Sequence, residues 1–151
     1  MNSELKHKLK KAAGNYVEDR IQRIHTAIAD LEDALKLETK CSMGDKYETG
    51  RAMLHLEFEK LSAQLEQYSR LKKTLTFIKE KQISEKVEFG SIVKTEKVNY
   101  FIAIPAGEME ADGEKFYAIG AGSPVAQAMI GKSAGDEFTF NGITNKILKV
   151  F

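Results

Sequence analysis

The sequence predicts an α+β protein, in which an N-terminal antiparallel coiled-coil helical hairpin precedes a small antiparallel β-sheet domain with one short helix. Three observations carry this prediction. Val17, Ile21, Ile24, Ile28, Leu31 and Leu35 recur at spacings of four, three, four, three and four, an unbroken heptad seam. A second seam runs through Leu54, Phe58, Leu61, Leu65, Tyr68, Leu71, Leu75 and Ile78, after a break at 41–47 that carries Ser, Gly and Asp. From residue 84 onward glycine becomes frequent, and alternating apolar residues replace the helical period. The expected division is a hairpin over 1–83, with its tip at 41–47, and a second domain over 84–151.

Taken in order, the stretch before Val17 reads as short and loosely held, with Lys6, Lys8, Lys10 and Lys11 on a solvated face. Both seams are confined to a and d positions. One partner helix satisfies so narrow a stripe, which favours a hairpin over a larger bundle. An arm of ~27 residues reaches roughly 40 Å at 1.5 Å rise per residue. Residues between the two patterns therefore sit at the far end of a rod.

In the second domain, Val87 to Val93 and Asn99 to Ile104 carry β-branched and aromatic residues between turn signals. Asp112-Gly113 reads as a turn before a strand over Lys115–Ile119. Ser123 supplies an N-cap and Pro124 a first helical residue for a helix through Ile130, with Gly131 at its C′ position. Glu137–Phe140, Asn141-Gly142 and Ile143–Val150 form a hairpin with an Asn-Gly turn. About 67 residues are few for an independent core, so contact with the hairpin base should help stabilise this sheet.

Bulk properties narrow the function classes. Charged residues make up 30% of the 151, yet the formal net charge is +1, so composition makes no demand for nucleic acid. The single cysteine, Cys41, excludes an internal disulfide and suits a reducing compartment. The N-terminus lacks an apolar signal core, and no apolar run approaches the ~20 residues that span a bilayer. A soluble, cytoplasmic protein with no membrane partner is expected.

The chemistry-bearing residues cluster at the break between the seams. Asp45 and Glu48 have the spacing of a capping box: the Asp oxygen accepts a backbone N–H, and both charges suit the helix dipole. The same spacing puts two carboxylates on one helical side, where they are free to approach a cation. Spacing favours the cap but does not separate the roles, since a carboxylate keeps lone pairs after one hydrogen bond. Lys40, Lys46 and Arg51 flank these acids, with Arg20 and Arg23 nearer the hairpin base; they read first as solvating charges and second as phosphate contacts. His7, His25 and His55 share no ligand spacing, so zinc is not expected. Gly120-Ala121-Gly122 lacks the lysine of a phosphate loop, and no serine lies in a nucleophile elbow.

Three stretches together resemble the GreA/GreB family of bacterial transcript-cleavage factors. Gly44-Asp45-Lys46-Tyr47-Glu48 is similar to the family's tip motif, Gly-Asp-x-x-Glu between two coiled-coil helices. Phe89-Gly90-Ser91-Ile92-Val93 resembles the entry to its C-terminal domain. Ser123 to Lys132 followed by Gly135-Asp136-Glu137 resembles its most diagnostic stretch. The match runs from about residue 13 to Val150. It departs at Thr49, Gly50, Arg51 and Ala52, which stand where the family has Asn and then Ala-Glu-Tyr.

The resemblance implies a C-terminal domain of FKBP-like fold and a partner, RNA polymerase, bound at its secondary channel and the channel rim. It implies that the tip enters the polymerase active site and stimulates cleavage of the nascent RNA 3′ end in backtracked complexes. Asp45 and Glu48 would then help hold a Mg²⁺ that the polymerase supplies, and the free protein would carry no cofactor and be no enzyme. Ser123 and Pro124 match positions that contact the rim, Lys46 and Arg51 would meet RNA, and DNA would be involved only indirectly. The alternatives are a channel-docking regulator without cleavage, a prolyl isomerase, and a helical-hairpin adaptor for another partner.

Overall fold

The computed structural model describes the backbone of residues 2–40 and 45–151, and the side chains of residues 3–37 and 49–151. Its elements are α1 (Asn2–Lys40), α2 (Asp45–Leu75), β1 (Ile92–Thr95), β2 (Asn99–Ala103), β3 (Gly107–Ala111), β4 (Glu114–Gly120), α3 (Pro124–Met129), β5 (Glu137–Phe140) and β6 (Ile143–Val150). The chain forms two compact units: residues Val17–Leu71, and Met1–Tyr16 together with Lys72–Phe151. This differs from the expected boundary at residue 83, because both outer ends of the helical pair belong to the sheet unit.

Within the helical unit, every predicted seam residue loses solvent. Val17, Ile21, Ile24 and Leu31 are buried; Ile28, Leu35, Leu54, Phe58, Leu61, Leu65, Tyr68 and Leu71 are half-buried. Most of the positions between them are exposed. Two helices joined by four residues can bury such stripes only against each other, antiparallel. The arm 17–40 spans about 36 Å at 1.5 Å per residue. Asp19 with Arg23 (3.0 Å) and Glu66 with Arg70 (2.5 Å) form i, i+4 pairs on the exposed sides. Each is worth only a few tenths of a kcal/mol, about 0.3–0.5.

The expectation of a loose N-terminal stretch is overturned. α1 begins at Asn2, and Leu5, Leu9 and Ala13 are buried at four-residue spacing. Lys6 is 3% exposed, and its ammonium donates to the Gln82 carbonyl at 2.6 Å. Burial pushes its pKa below the ordinary lysine value, with Glu88 opposing. Lys10 donates to the Ile78 carbonyl at 3.2 Å, and Lys8 pairs with Asp112. The lysine density that suggested a solvated face hid an apolar row spaced at 5, 9 and 13.

The sheet has order β3-β4-β2-β1-β6-β5. It is mixed, which corrects the expectation of a wholly antiparallel sheet: β2 and β4 run parallel, Phe101 opposite Ala118. After β2 the chain turns at Pro105 and descends one position further out as β3. It then reverses at Asp112-Gly113 and returns as β4 into the gap. Two reversals restore the direction of β2, so the pairing must be parallel. β3, Gly-Glu-Met-Glu-Ala, was not expected as a strand; it lies at an edge and buries only Met109.

The first strand is shorter than predicted and starts at Ile92. Gly90, at φ +89°, breaks the preceding segment, and the Ser91 amide and hydroxyl close a turn with Glu88 at 3.0 Å each. Both predicted hairpin turns form, with positive φ at Asp112 (53°), Gly113 (78°), Asn141 (52°) and Gly142 (75°), the type I′ pattern.

One face of the sheet packs with α3 in a cluster of Val87, Val93, Ile102, Ala126, Met129, Phe138 and Ile147. The alternate residues Ile92, Phe101, Phe116 and Ala118 are buried as well. Leu5, Leu9, Ala13, Leu75 and Ile78 of the same unit are buried too. Both faces being covered explains the unbroken apolar run Phe101–Ile104. Residues 1–16 and 72–78 belong to the same compact unit as the sheet.

Candidate functional site

α2 begins at Asp45, so Asp45 and Glu48 both occupy its first turn, where the helix dipole favours negative charge. Residues 41–44 of the predicted tip lie outside the described residues. So do the side chains of Asp45, Lys46 and Glu48, and with them the capping box. Arg51 is described: it is exposed on α2 and engaged in an interaction of its own. Gly50 is helical and half-buried.

The structure brings Ser123 and Pro124 together at the start of α3, as their order in the sequence predicts. Ser123 has extended backbone (φ −68°, ψ 152°), and its hydroxyl donates to the Gly120 carbonyl at 2.7 Å while accepting from the Ala126 amide at 3.4 Å. Its hydrogen is thereby committed, so Ser123 acts by shaping the loop that presents the exposed Pro124. Gln127 braces the same loop by donating to the Ala121 carbonyl at 2.7 Å. At the far end Gly131 takes φ +85°, and its amide meets the Val87 carbonyl at 2.9 Å. Ser123→Ala is expected to lower stability by about 1 kcal/mol through loss of the cap, and Ser123→Asp to recover most of it, as read from thermal midpoints.

Beside Pro124 lies a cleft that sequence reasoning did not single out. It has a volume of ≈ 190 Å³ and is lined by Tyr100, Val125, Phe138, Phe140, Ile143 and Asn145, with Lys97 and Val98 at one side. Cross-strand register pairs Phe138 with Asn145 and Phe140 with Ile143. Burial, followed by the neighbouring Tyr117, pushes the Tyr100 phenol above its ordinary pKa. A polar residue at an inward strand position was the available signal, but it could be read only with the register in hand.

The histidines remain apart, as expected. His25 and His55 are exposed, and His7 pairs with Glu80 at 3.1 Å. Among the described residues, no group of three or more His, Cys, Asp or Glu is arranged to hold a metal ion. No described helix is long and apolar enough to cross a membrane.

Comparison with known proteins bears on the sheet unit. Residues 81–151 match the model of the transcription elongation factor GreA/GreB C-terminal domain. Among solved structures, the crystal structure of GreA factor homolog 1 (Gfh1) of Thermus thermophilus is similar at 17% identity. That match covers 87% of this chain and 94% of that one, with a TM-score of 0.35. No curated protein matches the chain. Residues 81–151, a little under half of the chain, are thus similar to the C-terminal domain of the GreA/GreB transcription elongation factors.

Proposed function

We propose that this protein is a transcription elongation factor that binds RNA polymerase through the secondary channel and stimulates the polymerase's own cleavage of backtracked RNA. One observation carries the reading: a helix that opens on Asp45 and holds Glu48 in its first turn, within a chain whose C-terminal part matches this family's C-terminal domain. The acids stand in the chain where the second long helix begins, and four residues separate it from the first. In the proposed complex the loop at Ser123 and Pro124 engages the channel rim, while Lys46 and Arg51 offset phosphate charge on the extruded RNA.

Two carboxylates are hard oxygen donors of the kind Mg²⁺ prefers, but too few to hold the ion unaided. The ion therefore belongs to the polymerase, where it supplies charge stabilisation and an activated water. Asp45 is the principal acid directed at it and Glu48 the helper. The factor itself is not a nuclease.

A second reading, docking without cleavage, draws on one feature of the sequence. Thr49-Gly50 follows the tip glutamate, and a glycine inside a helix costs about 1 kcal/mol relative to alanine. Looser acids would orient an ion less well. Adding the chain to arrested, backtracked polymerase separates the readings. Shortened RNA that depends on the factor supports stimulated cleavage; tight binding with no product at any Mg²⁺ concentration supports the docking regulator. Failure to bind polymerase contradicts both.

A further inference from the structure

Another cavity lies within the sheet unit, between the first turns of α1 and the end of α2. Its volume of ≈ 410 Å³ falls in the range of small-molecule sites, about 300–1,000 Å³. One wall carries Lys10, Lys11 and Gly14 of α1; the other carries Lys72 and Leu75 of α2, with Glu80 beyond. The surrounding charge is strongly positive. Residues 1–16 and 72–81 carry eight lysines against two glutamates, in a chain whose formal net charge is only +1. The fold accounts for some of these. Lys6 and Lys10 donate to the Gln82 and Ile78 carbonyls, and Lys8 pairs with Asp112. Lys11 is exposed, and none of the ion pairs described in this unit uses it. Glu80, the one acid in the lining, is held by His7 Nδ1 at 3.1 Å and by Lys10 at 3.7 Å. Its charge is thus answered locally, and the cavity keeps an excess of cations.

Gly14 supplies a second, independent observation. It lies inside α1, where glycine forms helix less readily than alanine. A Cβ placed on it would meet nothing within 4 Å, so packing inside the protein does not call for glycine. The bare backbone opens instead onto the cavity, where it permits the close approach of a flat body. Leu75 adds an apolar surface to the same lining. We propose that this cavity is a site for a free nucleoside polyphosphate. Lys11 and Lys72 meet its phosphates as point charges, and its base lies over Gly14 and Leu75. An RNA chain offers the same phosphate chemistry, and the test separates the two. The site requires no polymerase, so it stands apart from the reading above.

Calorimetric titration of the full chain with ATP, GTP, pyrophosphate and a short RNA oligonucleotide tests this, without Mg²⁺. Wild type is expected to bind ATP or GTP. Lys11→Gln, at an exposed position, is expected to keep the thermal midpoint and weaken that binding about tenfold. Gly14→Ala is expected to raise the midpoint by a few degrees while also weakening nucleotide binding about tenfold. A glycine serving the fold alone would leave binding unmoved. No binding of either nucleotide at about 1 mM, or variants that bind as wild type does, would overturn the site. Pyrophosphate held as tightly as ATP would remove the base from Gly14 and overturn the nucleotide assignment. An RNA oligonucleotide that binds more tightly than ATP, and is lost with Lys11→Gln, would overturn it in favour of a nucleic-acid backbone.

Discussion

Asp45→Asn is expected to leave affinity for RNA polymerase unchanged while slowing factor-stimulated transcript cleavage by about 10²-fold or more. The size of the effect follows from losing a preorganised charge where charge develops in the reaction, typically about 10²–10³ in rate. The substitution is conservative for the fold. Asparagine caps helix N-termini as well as aspartate does, so α2 keeps its start. Glu48→Gln should cost less, as suits a helper one helical turn further on. Cleavage of backtracked RNA, measured beside binding of the same variants, checks both. An Asp45→Asn protein that cleaves like wild type would remove this residue from the mechanism.

Leu9→Ala is expected to destabilise the protein by about 2–5 kcal/mol, the range for a large apolar side chain lost from a packed interior. Leu9 is 0% exposed in the unit that contains the sheet, although it lies in a lysine-rich segment and some 80 residues before β1. Leu37→Ala, at a position 63% exposed on the same helix, is expected to change stability by less than about 0.5 kcal/mol. Equilibrium urea unfolding of the two variants gives the comparison. Equal midpoints would mean that residues 1–16 are not part of this core.

The elements readable in advance were those whose signal is local. The first seam alternates spacings of four and three over 19 residues and the second does so over 25 with one break at Tyr68–Leu71, and each residue named in them loses solvent. Asp112-Gly113 and Asn141-Gly142 announced their hairpins because positive φ at two consecutive positions suits few residue types. Ser123-Pro124 and Gly131 bracketed α3 for a similar reason, as cap chemistry at its two ends.

What escaped was set by packing between distant segments. Leu5, Leu9 and Ala13 form an apolar row that four neighbouring lysines obscure, and its burial depends on residues more than sixty positions away. β3 has one inward apolar residue, Met109, so its alternation was too weak to register. The parallel β2–β4 pair follows from where the β3–β4 hairpin inserts, which no local pattern records. Of the candidate site, the loop at Ser123 was legible, and the cleft lined by Tyr100, Phe138 and Phe140 was not. The cleft joins residues from positions 97 to 145, which only the strand register brings together.

The central claim, that the end of the helical unit enters the catalytic centre of another molecule, can be tested through the chain's one cysteine. Cys41 stands four residues before Asp45. A photo-activated crosslinker attached there, in a complex with backtracked RNA polymerase, is predicted to join the factor to the extruded RNA 3′ end and to residues around the polymerase catalytic site. Crosslinks confined to the outer surface of a polymerase that still binds the factor would contradict the account.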